Sequence, residues 1–303
     1  SPSSPDDSND DIRSKSVRGV FWSVIQNGGS QVLAAVIHIV LARLLVPRQF
    51  GLVAMAMVAI AVFEILRDLG LKEALVQRAE LDESHIDSAF WAITGAGMLT
   101  AVSGVAIAPL VALFFGEPKL TSVLRALCIA IPIGGLSTVP AALLRREMDF
   151  RSLSIRKLLG VVSGGVVGII LAVEGFGVWS LVVQAIATAF VGMIVLWAAV
   201  DWTPSLSASY QKFLELFRFG RSILGEALLN VVNRRADDAI IGFVLGSTAL
   251  GYYTIAYEIF KRLTRVLVRS LTNVALPAFS KLQDKKEQLA RAFVRSVQAS
   301  SFL

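Results

Sequence analysis

Residues 44–56 read LLVPRQFGLVAMA, and residues 244–256 read VLGSTALGYYTIA. Each stretch leaves the end of one apolar run, crosses a short turn and reaches a glycine, Gly51 or Gly251, as the next apolar run begins. The two align without a gap at an offset of 200. Two weaker matches keep the same order. SVRGVFW (16–22) pairs with LFRFGRS (216–222), each entering a helix through a basic, glycine-bearing turn. LDESHIDSAFW (81–91) pairs with LQDKKEQLARAFV (282–294), each a polar loop leading into a helix, with Phe90 against Phe293. Self-similarity of this kind means that one architecture is built twice. Six helices separate the two starts. Because that number is even, both units enter from the same side and are related by an axis along the membrane normal.

Composition places those helices in a bilayer. Of 303 residues, 55% are hydrophobic and 17% charged, and mean hydropathy is +0.66, outside the range of soluble domains. A span needs about 20 mostly apolar residues. Eight segments qualify, at 19–45, 50–69, 88–115, 120–144, 153–174, 177–200, 217–245 and 249–279, and a ninth begins near 288. Turns such as VPRQFG, FGEPKL, VEGFG and LGSTALG join them as antiparallel hairpins. The expected fold is all-α, with a disordered cytoplasmic tail at 1–15, a first six-helix lobe at 16–204, and the start of a second lobe at 205–303 comprising two helices and part of a third. A second lobe that copies the first would run on for about 100 residues past Leu303, so the chain reads as a fragment, truncated in its second lobe.

Charge sets the expected orientation. With the head in the cytoplasm, that side receives Arg145, Arg146, Arg151, Arg156 and Lys157 as well as most other cations outside the helices; the opposite side has only Arg43, Arg48, Lys119 and Arg125. The positive-inside rule therefore makes the N-terminus cytoplasmic. The pI of 9.7 follows from this topology and does not point to nucleic acid. The five cations at 145–157 are explained by topology and by anionic lipid.

The helices carry polar residues that need a reason. NVVNRRADDAIIG (230–242) holds two arginines and two aspartates within an apolar run. Each costs about 2.5–3.5 kcal/mol at the centre of a span, so the group should face a hydrated cavity or protein. Helical spacing lets Arg234 reach Asp237 and Asp238, and Arg235 reach Asp238. Asn27, Gln31 and His38 share one face of the first helix as a partner surface. Two readings stay open: structural clasps formed by the aspartates and amides, or a cleft lined by Arg234 and Arg235 for an anionic head group, for which guanidinium forks are suited. In YEIFKRLTRVLVR (257–269), Glu258 faces Arg262, and Lys261 repels Arg265 unless an anion bridges them. Glu64, Arg67 and Asp68 read as an interfacial elbow with snorkelling side chains. Glycines 160, 164, 165 and 168 allow close helix packing.

Several function classes are excluded or unsupported. The lone Cys128 precludes an internal disulfide and reads as packing. Two histidines are too few for an ordinary zinc site. P-loop, GxSxG and HExxH motifs are absent, and no enzyme activity is expected.

The stretches FGLVAMAMVAIAVFEILRDLGLKEALVQR (50–78), RFGRSILGEALLNVVNRRADDAIIGFVLGSTALGYYTIAYEI (218–259) and LPAFSKLQD (276–284) resemble the Wzx-type oligosaccharide flippases of the MOP transporter superfamily. The resemblance implies two lobes of six helices working by alternating access. Their cargo would be undecaprenyl-pyrophosphate-linked oligosaccharide crossing the bacterial inner membrane for exopolysaccharide, capsule or lipopolysaccharide assembly. It implies a cationic lumen with candidate residues Asn27, Gln31, Asn230, Arg234, Arg235, Asp237, Asp238, Tyr257, Lys261 and Arg262. It also implies membrane lipids, a polysaccharide polymerase and other export machinery as partners, no bound cofactor, and coupling to a proton or sodium gradient. Family members often carry Arg after the IIG of this helix, where this chain has Phe243. The alternative is a cation-coupled small-molecule exporter of the related MATE branch, which should place isolated carboxylates inside its first lobe.

Overall fold

The computed structural model describes residues 29–78 and 81–281, with side chains described up to 258 and at 260 and 261. Every regular element among them is a helix: α1 (Gly29–Leu44), α2 (Pro47–Asp68), α3 (Leu71–Gln77), α4 (Glu83–Phe115), α5 (Lys119–Leu127), α6 (Ala130–Arg146), α7 (Phe150–Val173), α8 (Val178–Ala199) and α9 (Tyr210–Lys281). Six stretches among the described residues are long and apolar enough to cross a membrane, with α5 and α6 together forming one. The chain is an all-α, multi-pass membrane protein. Residues 1–15, Asn27 and the segment after 288 lie outside the described residues.

Helix ends follow local chemistry. Pro47 opens α2, where its missing N–H costs nothing, and the Val46 N–H donates to Gln49 Oε1 at 3.2 Å. α4 closes on Gly116 at φ 66°, with the Glu117 N–H donating back to the Ala112 carbonyl at 3.0 Å. Such a left-handed closure favours glycine. Asp149 caps α7 by accepting from the Ser152 N–H at 3.1 Å.

The structure divides the expected helix at 120–144 into α5 and α6. Pro132 has no N–H to give the Cys128 carbonyl, which instead accepts from Ile131 at 3.1 Å in a tighter turn. The expected spans 217–245 and 249–279 are the two arms of α9, which breaks at Gly246, where φ is 79° and ψ is 178°.

Packing separates lipid from core. On α4, Leu99, Val102, Leu110 and Leu113 form one outward face, each more than 60% exposed, as a lipid-facing surface should be. The opposite face, Gly104, Ala108, Ala112 and Phe115, is buried against α2, α5 and α6, with Met55, Ile60, Leu124 and Ile131. Cys128 belongs to this core, where its Sγ would be 2.6 Å from a Cβ at Gly104. The glycine face of α7 packs as its spacing predicted: a Cβ at Gly164 would fall 2.0 Å from Thr188 Oγ1 on α8, and one at Gly165 would fall 2.2 Å from Ile37 Cδ1 on α1.

The chain forms two compact units, Ser1–Ile255 and Ala256–Leu303. Within the first, the paired stretches that opened the sequence analysis meet each other. A Cβ on Gly51 would lie 1.7 Å from the Ser247 carbonyl oxygen, and one on Gly251 would lie 1.8 Å from the Pro47 carbonyl oxygen. Pro47 and Ser247 stand 200 positions apart, as do the two glycines. The contact is thus reciprocal, and only glycine permits so close a crossing. At the other end of α2, Gly70 meets Gly220, and Leu216 is buried against Leu71, Ala74, Phe90 and Val139. The connection from α8 to α9 is fastened to the start of α4, where Asp87 accepts from the Ser205 N–H (3.2 Å), Ser205 Oγ (2.5 Å) and Ser207 Oγ (2.7 Å).

Candidate functional site

The first arm of α9 carries the charged stretch. Arg235 Nη1 donates to Asp238 Oδ2 at 3.0 Å, and Asp238 is buried. Asp237 accepts from the Tyr253 hydroxyl at 2.6 Å, and its other oxygen, Oδ1, is buried with no hydrogen-bond donor among the described residues. Arg234 is exposed and has no side-chain partner among them. The expected pairing of Arg234 with Asp237 and Asp238 is therefore corrected. Spacings of three and four are both open to a helix, and burial decides between them: Asp238 and Asp237 face the packed side, and Arg234 faces away from it.

The other candidates are less concentrated. Asn230 is exposed, its amide donating to the Glu226 carbonyl at 3.1 Å. Gln31 is half-buried on α1, and His38 on the same helix meets the Phe50 ring edge-on at 5.3 Å. Within the second unit, Lys261 Nζ lies 5.5 Å from the centre of the Tyr257 ring and 3.9 Å from Glu258 Oε1. Glu258 was expected to face Arg262. The Arg262 side chain and Asn27 lie outside the described residues.

The elbow expected at Glu64, Arg67 and Asp68 is not one. Arg67 is buried, with Nε donating to Asp68 Oδ1 at 2.8 Å and Nη1 to the Ile131 carbonyl at 3.2 Å. Its arm lies in a cradle of glycines from two other helices. A Cβ at Gly97 would be 3.3 Å from Arg67 Cγ, one at Gly135 3.4 Å from Cδ, and one at Gly134 2.1 Å from Nη1. Thr138 adds a hydrogen bond to Asp68 at 3.3 Å. A snorkelling arginine reaches for water, whereas this one is enclosed and bonded within the protein through Nε and Nη1. Glu64, one turn earlier, is exposed and lies within electrostatic reach of Arg67, Lys72 and Arg235. It thereby joins the α2 group to the charged face of α9, a link that only the tertiary structure reveals.

At the opposite end of α2, Glu117 ties three elements together. It accepts from Arg48 at 2.9 Å and from the Ser247 hydroxyl, which sits beside the Gly246 break. Burial, the largest influence, pushes the Glu117 carboxyl up. The Ser247 hydroxyl, the Arg48 guanidinium and the nearby Lys119 charge together outweigh it, and the group is held below its ordinary value of 4.5.

The spans, the reciprocal crossing and the charged α9 belong to a helical membrane-protein fold. A solved multidrug-resistance MATE family transporter of the MOP superfamily, in an inward-facing conformation, shares it at a TM-score of 0.57 and 16% identity, covering 89% of this chain and 67% of that one. Residues 40–303 match the model of a family described as polysaccharide biosynthesis protein, and the chain belongs to that family. It is 29% identical over 96% of its length to the succinoglycan biosynthesis transport protein ExoT of Rhizobium meliloti (strain 1021), covering 59% of that protein. It is 25% identical over 94% of its length to the lipopolysaccharide biosynthesis protein WzxC of Escherichia coli (strain K12), covering 58%. The chain thus spans about three-fifths of the length of these relatives.

Proposed function

We propose that this chain belongs to a transporter that flips an undecaprenyl-pyrophosphate-linked oligosaccharide across the bacterial inner membrane by alternating access, for exopolysaccharide, capsule or lipopolysaccharide assembly. The observation that carries the reading is Arg234. In a helix apolar enough to span, this arginine is exposed and unpartnered, while its neighbour Arg235 is balanced by Asp238. An unpaired guanidinium on a bilayer-crossing helix is costly against lipid unless it meets water or an anion, and a pyrophosphate offers matching acceptors. Family membership and the transport role named for the ExoT relative support the same cargo class. The likeness to a MATE transporter concerns the fold alone and does not favour drug export.

In this reading the basic end, which holds Arg145, Arg146 and Arg151, is cytoplasmic, and so is the N-terminus. The lipid tail stays in the bilayer, a polymerase receives the product, and a proton or sodium gradient drives the cycle. The test is export in cells lacking the native gene and complemented with the full-length Arg234→Ala/Arg235→Ala variant. Secreted polymer should fall to background, with lipid-linked oligosaccharide held on the cytoplasmic leaflet and normal amounts of inserted protein. Normal export by this variant would refute the role assigned to the two arginines. Ionophores in the same assay report on the gradient.

A further inference from the structure

Glu64 also lines a cavity of about 280 Å³ inside the first unit, bounded by α2, α3, α5, α6, α7 and α8. Its charged lining is Glu64, Arg67, Asp68, Lys72, Arg145 and Arg156, four cations against two carboxylates. Asp68 is taken up by Arg67 and Thr138, and Glu64 lies within electrostatic reach of Arg67, Lys72 and Arg235. Arg145, at the end of α6, and Arg156, in the first half of α7, have no acidic or hydrogen-bonding partner among the described residues. They lie within electrostatic reach of each other, where like charges repel. Arg156 rests against the bare backbone of α8 at Gly192, where an added Cβ would be 3.4 Å from its Nε.

Two guanidiniums, Arg145 exposed and Arg156 half-buried, line one cavity with no ion-pair partner among the described residues. The volume limits what anion they can hold. It falls just below the range for small-molecule pockets, about 300–1,000 Å³, a size that suits a phosphate or diphosphate group. The charge limits it further, because a diphosphate diester carries one negative charge on each phosphorus and so matches the surplus of two cations. Planar guanidiniums also match phosphate oxygens in pairs.

We infer that this cavity is a phosphate- or diphosphate-binding pocket in which Arg145 and Arg156 hold the anion. The residues differ from those of the α9 site. The binding itself stands apart from the export reading, and only its use as a docking station for the head group of a cargo rests on that reading. The anion reaches the pocket either on a lipid or as free inorganic phosphate or diphosphate.

The test uses the full-length protein in neutral detergent and follows the thermal unfolding midpoint as inorganic diphosphate is added, with ionic strength matched by chloride. The wild type should show a saturable rise. Arg145→Gln/Arg156→Gln should bind about tenfold more weakly or worse, as expected for lost charged hydrogen bonds. Arg145→Lys/Arg156→Lys should retain most of the response, and unliganded midpoints reveal any variant that is simply misfolded. Undecaprenyl diphosphate in mixed micelles and phosphatidylglycerol nanodiscs identify the source. A tighter response to the lipid diphosphate assigns the pocket to a lipid head group, and an equal one assigns it to the free anion. Absence of a saturable response to every probe in the wild type, or an equal response in the Gln pair, overturns the inference. Because export is not measured here, failure of this test is distinct from failure of the export test on Arg234 and Arg235.

Discussion

Arg67 and Arg234 are both arginines in membrane-spanning helices, yet they occupy opposite situations. Arg67 is enclosed by three glycines from α4 and α6, ion-paired with Asp68 and bonded to a main-chain carbonyl. Arg234 is exposed and has no partner among the described residues. Both sit in spanning helices, and what differs is their engagement. Arg67 is tied to Asp68 and the Ile131 carbonyl and so holds helices together, whereas a cation without such partners is left to water or an anion.

The contrast can be broken most forcefully at Arg67. Arg67→Ala should lower stability in detergent by about 3 kcal/mol, the low end for breaking a buried pair because Asp68 keeps some exposure. Arg234→Ala should change stability by no more than about 0.5 kcal/mol. Chemical denaturation of both variants checks this, and equal losses would dissolve the distinction. A subtler probe leaves the arginine in place. Gly134→Ala puts a Cβ 2.1 Å from Nη1, so the guanidinium must shift and give up its bond to Ile131. The loss should be about 1 kcal/mol, and it should largely disappear in an Arg67→Ala background.

A modest effect belongs to Glu117, which pairs with the exposed Arg48. Its carboxyl is held below the ordinary 4.5, so its contribution is fully present above that value and is lost as pH falls through the lowered one. That contribution is about 0.5–1 kcal/mol, as for exposed pairs generally. Glu117→Gln should therefore lower the unfolding midpoint slightly at neutral pH and not in strong acid. A difference that persists in acid would remove the electrostatic explanation.

Much of the fold was legible because membrane helices announce themselves by length and composition. The α7 glycines were legible too, and so was the match of Gly51 with Gly251, although the structure places both inside helices, α2 and α9, and not in turns. The break between α5 and α6 had its signal in Pro132, which removes the donor that a continuous helix would need. The Arg67 cradle had none nearby, because its glycines come from positions 97, 134 and 135 and meet the arginine only after folding. In α9, spacing permitted two pairings for the aspartates, and the choice was made by which face was packed. Tyr253, the partner of Asp237, comes from beyond the Gly246 break.

The reciprocal crossing at Gly51 and Gly251 brings the bare main chains of α2 and α9 together, with Leu52, Met55 and Leu250 packed beside it. It lies unequally along α2: four residues, about 6 Å, reach back to Pro47, while seventeen, about 25 Å, run forward to Asp68. A tilt of about 10° about that point would move the near end by about 1 Å and the far end, where Arg67 and Glu64 sit, by about 4 Å. The geometry is that of a lever with arms of about one to four, in which any tilt about the crossing would be magnified at the end that carries Arg67 and Glu64.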